Sequence, residues 1–201
     1  MEFSIQPEKF DIAAKAFVRD ILEIYGADFR KPVVLNQPFC GNNPEKSFKY
    51  FDDPIAIIVD RDPRDNYMFA KKFLRSKGRQ IPTDTVEQYV EYYKRMRDGQ
   101  PYKESDERIL CIQFEDMIYK YDETTRKISE FCNVRHEDRT RKFFVPEMSI
   151  NNTQVYKRYP EYEKDILYIE KMLPDYLYPF DKFGDKKTDG QMFSGRSPLN
   201  K

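Results

Sequence analysis

Five consecutive apolar residues, Ile55-Ala56-Ile57-Ile58-Val59, constrain this chain more than any other segment. All but Ala56 are β-branched, which suits a pleated backbone, and the run is too short for a helix. It shows no polar alternation, so it predicts a strand buried on both faces. Such strands belong to parallel sheets covered by helices. Ile109-Leu110-Cys111-Ile112-Gln113 predicts another strand, and the shorter run Val33-Val34-Leu35, after Pro32, predicts one ahead of both.

Helical periodicity fills the intervals. From Glu8 to Tyr25, residues Phe10, Ala13, Ala14, Phe17, Ile21 and Ile24 fall on one face at steps of three and four, with Pro7 suited to the first turn and Gly26 to the stop. Further helices are expected over 66–76, over 83–97 with Thr83 as cap, over 122–132, and over 161–173, where Tyr162, Ile166, Ile169 and Leu173 share a face. The order of elements predicts an α/β fold with a small parallel sheet flanked by helices. Three strands make a thin sheet, which suggests that an element is missing or that a partner chain completes it. Residues 1–183 read as one domain. The polar, Gly- and Pro-containing tail 184–201 reads as disordered, and the mixed charges of Arg135 to Lys142, with His136 among them, as a solvated connection.

Composition removes several classes of function. The 201 residues carry 35 basic and 35 acidic side chains, a balance that argues against a nonspecific nucleic-acid binder but leaves room for a local basic pocket. Cys40, Cys111 and Cys132 fit no zinc spacing, and Cys111, inside an apolar run, reads as a core residue. This cysteine usage suits a reducing, cytoplasmic compartment. No apolar run approaches the roughly 20 residues of a membrane span, and Met1 to Lys9 has no apolar signal core.

Chemistry concentrates where the first long apolar run ends, in Asp60-Arg61-Asp62-Pro63-Arg64-Asp65-Asn66. Ligands of open α/β sheets bind outside the carboxyl ends of strands. An arginine there can fork onto a phosphate, and the N-terminus of a following helix adds donors. Asp62 and Asp65 can brace the guanidinium groups or cap that helix. Two other readings of the same residues stand beside this one. The charges can form a salt-bridge network with no ligand. Alternatively, Asp60-Arg61-Asp62 can be the Asp-x-Asp element of a metal-dependent nucleotide-sugar glycosyltransferase.

The run IIVDRDPRDNY resembles the strand-and-helix element with which sulfotransferases hold the 3′-phosphate of their donor, 3′-phosphoadenosine 5′-phosphosulfate. The resemblance is to bacterial, saccharide-modifying members. It implies that Arg61 contacts the 3′-phosphate, with Arg64 as a second cation. A serine usually lies eight residues after that arginine; here the position is Phe69. The segment from Leu110 to Ile118 resembles the family's later strand ending in aromatic-Glu-Asp, which would set Phe114 beside the adenine and leave Glu115 and Asp116 to anchor the turn that follows. The segment from Met148 to Tyr156 resembles the loop that folds over the 3′-phosphate, with Ser149, Asn151 and Asn152 as hydrogen-bonding groups and Lys157 or Arg158 for charge.

The resemblance covers Val33 to Phe180 and implies an architecture related to nucleotide kinases. It implies sulfuryl transfer to a hydroxyl, on a saccharide acceptor, with the nucleotide as cosubstrate and no metal. It also implies a first strand and a Gly- and Ser/Thr-rich loop for the 5′-phosphosulfate, whose backbone N–H groups would converge on the anion. Before residue 33 the chain has one glycine, Gly26, and no such loop is expected within these residues. The family's base position falls at Asn36-Gln37-Pro38-Phe39, where no side chain is a base, so the catalytic base stays unassigned, with Glu45 and Asp52 as weak candidates. A nucleotide-binding or structural module without chemistry is therefore the alternative function.

Overall fold

A computed structural model describes residues 6–36, 43–74, 81–98, 106–134 and 144–183. Cys40, His136, the connection 135–142, the base position from Gln37 to Phe39 and the tail 184–201 lie outside them. The described elements run α1 (Pro7–Ile24), α2 (Glu45–Phe48), β1 (Ala56–Asp60), α3 (Pro63–Phe69), α4 (Val86–Asp98), β2 (Ile109–Gln113), α5 (Asp116–Tyr119), α6 (Tyr121–Phe131), α7 (Pro146–Ser149) and α8 (Glu163–Met172). No helix among the described residues is long and apolar enough to cross a membrane.

β1 and β2 are neighbours in a two-stranded parallel sheet. Ala56 N–H donates to the Arg108 carbonyl at 2.8 Å and Phe114 N–H to the Asp60 carbonyl at 2.7 Å, so both strands advance together. The α/β expectation holds, with two corrections. Val33-Val34-Leu35 forms no strand among the described residues, and Val34 is exposed. Nor is β1 buried on both faces. The two-residue period turns Ala56 inward, while Ile55, Ile57 and Val59 face solvent. Cys111, expected in the core, is half-buried for the same reason, between buried Leu110 and Ile112.

The chain divides into two compact units, residues 1–58 with 97–110 and residues 59–96 with 111–201. In the first, Phe48, Ala56, Ile109 and Leu110 are buried, and the Arg108 guanidinium lies 4.7 Å from the Phe48 ring centre. Helix α1 stops as its glycine predicts. Gly26 takes φ +86°, its N–H donates to Glu23 O, and Ala27 N–H reaches back to Leu22 O, a Schellman closure that a Cβ would strain. Charged contacts tie α1 to the segment after α2: Lys15 and Arg19 meet Asp52 at 2.6 and 3.0 Å, and Asp11 meets Lys49 at 2.8 Å. The stripe of Phe10, Phe17, Ile21 and Ile24 is exposed.

The second unit holds the larger core. Tyr67, Met68, Tyr89, Val90, Tyr93, Val155, Ile166, Ile169 and Leu173 pack together. Its tyrosines also spend their hydroxyls on structure. Tyr89 donates to Pro63 O at 2.8 Å, and Tyr67 donates to Asp165 at 2.6 Å while accepting from Lys71. Beyond Phe69 the helix widens into a π-helical turn, Ala70–Leu74. The cap of α4 is Thr85, whose hydroxyl accepts Gln88 N–H at 3.3 Å, and not Thr83, which is buried.

Candidate functional site

The turn from β1 into α3 is built by Asp62. Its Oδ1 accepts Arg64 N–H at 2.9 Å, capping the helix. The same carboxylate receives the Arg64 guanidinium as a fork, Nε to Oδ1 at 3.0 Å and Nη2 to Oδ2 at 2.7 Å, and accepts Tyr178 N–H at 2.8 Å. Both carboxylate oxygens are thus taken by N–H donors. This removes the second carboxylate that an Asp-x-Asp cation site would need. At the start of α3 the Arg64 N–H is thus taken by the Asp62 side chain and the Asn66 N–H by its carbonyl.

Arg64 is buried and fully engaged. Besides Asp62 it donates to Glu170 at 2.8 Å and to Tyr178 O at 3.3 Å, and its guanidinium lies 4.5 Å from the Tyr156 ring centre. Burial alone would lower its pKa, but the hydrogen bonds and charge of Asp62 hold it above the ordinary arginine value. The geometry gives Arg64 to the scaffold, tying α3 to α8 and to the segment around Tyr178.

Arg61 is placed differently. Its guanidinium lies 5.4 Å from the Phe69 ring centre and 5.2 Å from that of Phe114. Nη2 donates to the backbone carbonyl of Asn152, and Nε is buried with no hydrogen-bond partner among the described residues. The aromatic ring at position 69, where the resemblance leads one to expect a serine, therefore covers the arginine. Phe114 follows β2 directly, next to β1, which is how one cation comes to touch both rings. Asn152 reaches Arg61 through its main chain, and Ser149 ends α7 three residues before it.

The loop carrying Ser149 and Asn152 is fixed from below by Asp65. Its carboxylate accepts Gln154 N–H at 2.7 Å and Tyr156 N–H at 3.3 Å, with Gln154 in the left-handed region at φ +53°. Burial pushes the Asp65 carboxyl up to about 7, against the Arg61 charge and the two N–H donors. Glu115 performs a parallel task. Its Oε1 accepts Asp62 N–H at 3.1 Å and joins the two strand ends; its Oε2 is buried without a partner among the described residues. Burial, reinforced by the neighbouring aspartates and opposed by the Asp62 N–H, raises Glu115 to about 8. Asp116 anchors the following turn, accepting Tyr178 OH at 2.8 Å and Lys120 at 3.0 Å.

The structure brings together Arg61 and Phe114, both candidates from the sequence. The contacts of Asp65, Glu170 and Tyr178 act across 89 to 116 residues and have no local signal. Asp52, a weak candidate for the base, is an exposed partner of Lys15 and Arg19.

Arg61, at the end of β1, thus lies against the Phe69 and Phe114 rings and donates to the Asn152 carbonyl. A family model described as the sulfotransferase family matches residues 5–138, more than half of the chain. The chain belongs to the sulfotransferase family. No curated protein and no solved structure gives a significant match. The sulfotransferase match includes β1, α3, β2 and the Phe114-Glu115-Asp116 turn, while the loop at Asn152 lies beyond it.

Proposed function

We propose that this sulfotransferase-like protein holds an adenosine 3′-phosphate nucleotide, 3′-phosphoadenosine 5′-phosphosulfate or adenosine 3′,5′-bisphosphate, with Arg61 on the 3′-phosphate and Phe114 beside the adenine. Ser149 and Asn152 belong to the loop that closes over the phosphate, and Arg64 acts by fixing the turn beneath it. The associated reaction moves a sulfuryl group from the donor to a hydroxyl, that of a saccharide. The hydroxyl oxygen bonds to sulfur, the bond from sulfur to the phosphate oxygen breaks, and the hydroxyl proton is lost.

One observation carries the reading: Arg61 Nε is a buried donor with no acceptor among the described residues. A buried unpaired donor costs about 1–3 kcal/mol, and an anionic oxygen offered there would recover it. A binding module without chemistry is the second reading. It is favoured by the carboxylates near Arg61: Asp62, Asp65 and Glu115 are all fully buried, which leaves none of the three exposed to an acceptor hydroxyl.

Calorimetric titration with adenosine 3′,5′-bisphosphate, on the wild type and on Arg61→Ala, tests the nucleotide site. Loss of a charge-assisted contact weakens binding by roughly 10- to 100-fold. No binding by the wild type at millimolar ligand, or equal affinity in both proteins, would overturn the proposal. Binding without sulfate transfer to any of a panel of hydroxylated saccharides would select the second reading.

A further inference from the structure

Helix α1 presents to solvent the face that amphipathic helices bury. Phe10 is 51 % exposed, Phe17 65 % and Ile24 78 %, and α1 contains no buried residue. A contiguous apolar stripe of this kind marks an interaction surface. From the pattern of this stripe we infer that α1 pairs with α1 of a second copy of the chain, antiparallel, about a two-fold axis.

The argument is self-complementarity. A two-fold interface requires that if one residue meets another, the second also meets the first. At 3.6 residues per turn, Phe10, Ala14, Phe17 and Ile21 form one row along α1, and Lys9, Ala13, Ala16 and Asp20 form the row beside it. Antiparallel pairing sets Phe17 over Ala14 of the second copy and Phe10 over its Ile21. Each large side chain in the middle then meets a small one. The neighbouring row sets Lys9 against Asp20 of the second copy, twice by symmetry, and Ala13 against Ala16, where the backbones can approach closely. All four residues of that row are exposed. A parallel pair would oppose lysine to lysine and aspartate to aspartate, so the charges select the orientation as flanking charges do in coiled coils.

The opposite flank of the helix is occupied, with Asp11, Lys15 and Arg19 in ion pairs with Lys49 and Asp52, which leaves the stripe as the available side. An 18-residue helix is about 27 Å long, and two such helices bury less than the roughly 1,200 Å² of a standard interface. The dimer is accordingly concentration-dependent. This inference stands apart from the nucleotide reading and shares no residue with it.

Sedimentation velocity on the full chain, from micromolar to several hundred micromolar, tests it. The wild type is expected to shift from monomer to dimer over this range, and Phe17→Asp to remain monomeric with an unchanged circular dichroism spectrum. Lys9→Glu and Asp20→Lys are each expected to weaken the dimer by threefold or more, and the double variant to restore it. A wild type that stays monomeric throughout would overturn the inference and leave the stripe to some other cover. A dimer unaffected by Phe17→Asp, or charge variants whose combination fails to restore the affinity, would overturn the antiparallel α1 pairing.

Discussion

The carboxylate of Asp65 accepts the main-chain N–H of Gln154 at 2.7 Å, joining the first turn of α3 to the loop whose Asn152 carbonyl meets Arg61. The loop is therefore placed from inside the protein, and the arginine is held by a carbonyl whose position depends on a carboxylate it does not touch. Asp65→Ala leaves two partly buried N–H groups, of Gln154 and Tyr156, without this acceptor. At about 1–3 kcal/mol each, the expected loss is about 2–6 kcal/mol, read from urea unfolding. Asp65→Asn keeps one acceptor oxygen and should recover part of it. If the nucleotide site is as proposed, Asp65→Asn also weakens binding of adenosine 3′,5′-bisphosphate, because the loop carrying Asn152 loosens.

Arg64 and Arg61 should separate cleanly in experiment. Arg64 forks onto a fully buried Asp62. Removing one member of a buried ion pair strands the other, at about 3–5 kcal/mol. Arg64→Ala is expected to lower stability by that amount, and Arg64→Lys to recover little, since an ammonium cannot reproduce the fork. Arg61→Ala should shift the unfolding midpoint less than Arg64→Ala, since it gives up one hydrogen bond, to the Asn152 carbonyl, and its contacts with the Phe69 and Phe114 rings, and strands no buried ion-pair partner. A midpoint shift for Arg61→Ala as large as that for Arg64→Ala would show that both arginines are scaffold.

The cap of α4 provides a smaller and more local test. Thr85→Ala removes the hydroxyl that accepts Gln88 N–H and should cost about 1 kcal/mol. Thermal unfolding followed by circular dichroism is sufficient to detect it.

That cap also shows how far the sequence could be read. Thr83 and Thr85 both precede the periodic segment, and only the backbone geometry decides which one faces the first turn. Features set by neighbours in sequence were legible. Gly26 stops α1, Ile109–Gln113 forms β2 to the residue, and Arg61 stands at the end of β1. Features set by distant partners were not. The burial of β1 depended on how many strands and helices surround it. The fate of Arg64 depended on Glu170, 106 residues away, and on Asp62 turning its carboxylate back onto the guanidinium. Two arginines one turn apart look equivalent in a sequence, and the packing around them makes one a strut and the other a candidate ligand contact.

The same carboxylates make stability depend on pH. Asp65 is raised from 3.8 to about 7 and Glu115 from 4.5 to about 8, in both cases chiefly by burial. Each group binds a proton more tightly in the folded chain than in the unfolded one. The stability they contribute is fully present below about pH 4 and is lost as pH rises through 7 and then 8. Between those limits each group changes the unfolding free energy by at most about 1.4 kcal/mol per pH unit. Other acidic groups, such as Asp28 and Asp52, are lowered by their basic partners and pull the opposite way at the acid end. The test is therefore differential. Glu115→Gln keeps an acceptor for Asp62 N–H and cannot ionise, so its unfolding free energy from urea titrations should fall less than that of the wild type between pH 5 and pH 8.5. The two curves should be furthest apart at the alkaline end, with the variant the more stable there. Parallel curves across that range would mean that Glu115 is ionised in the folded protein, and that its buried oxygen finds a partner on charging.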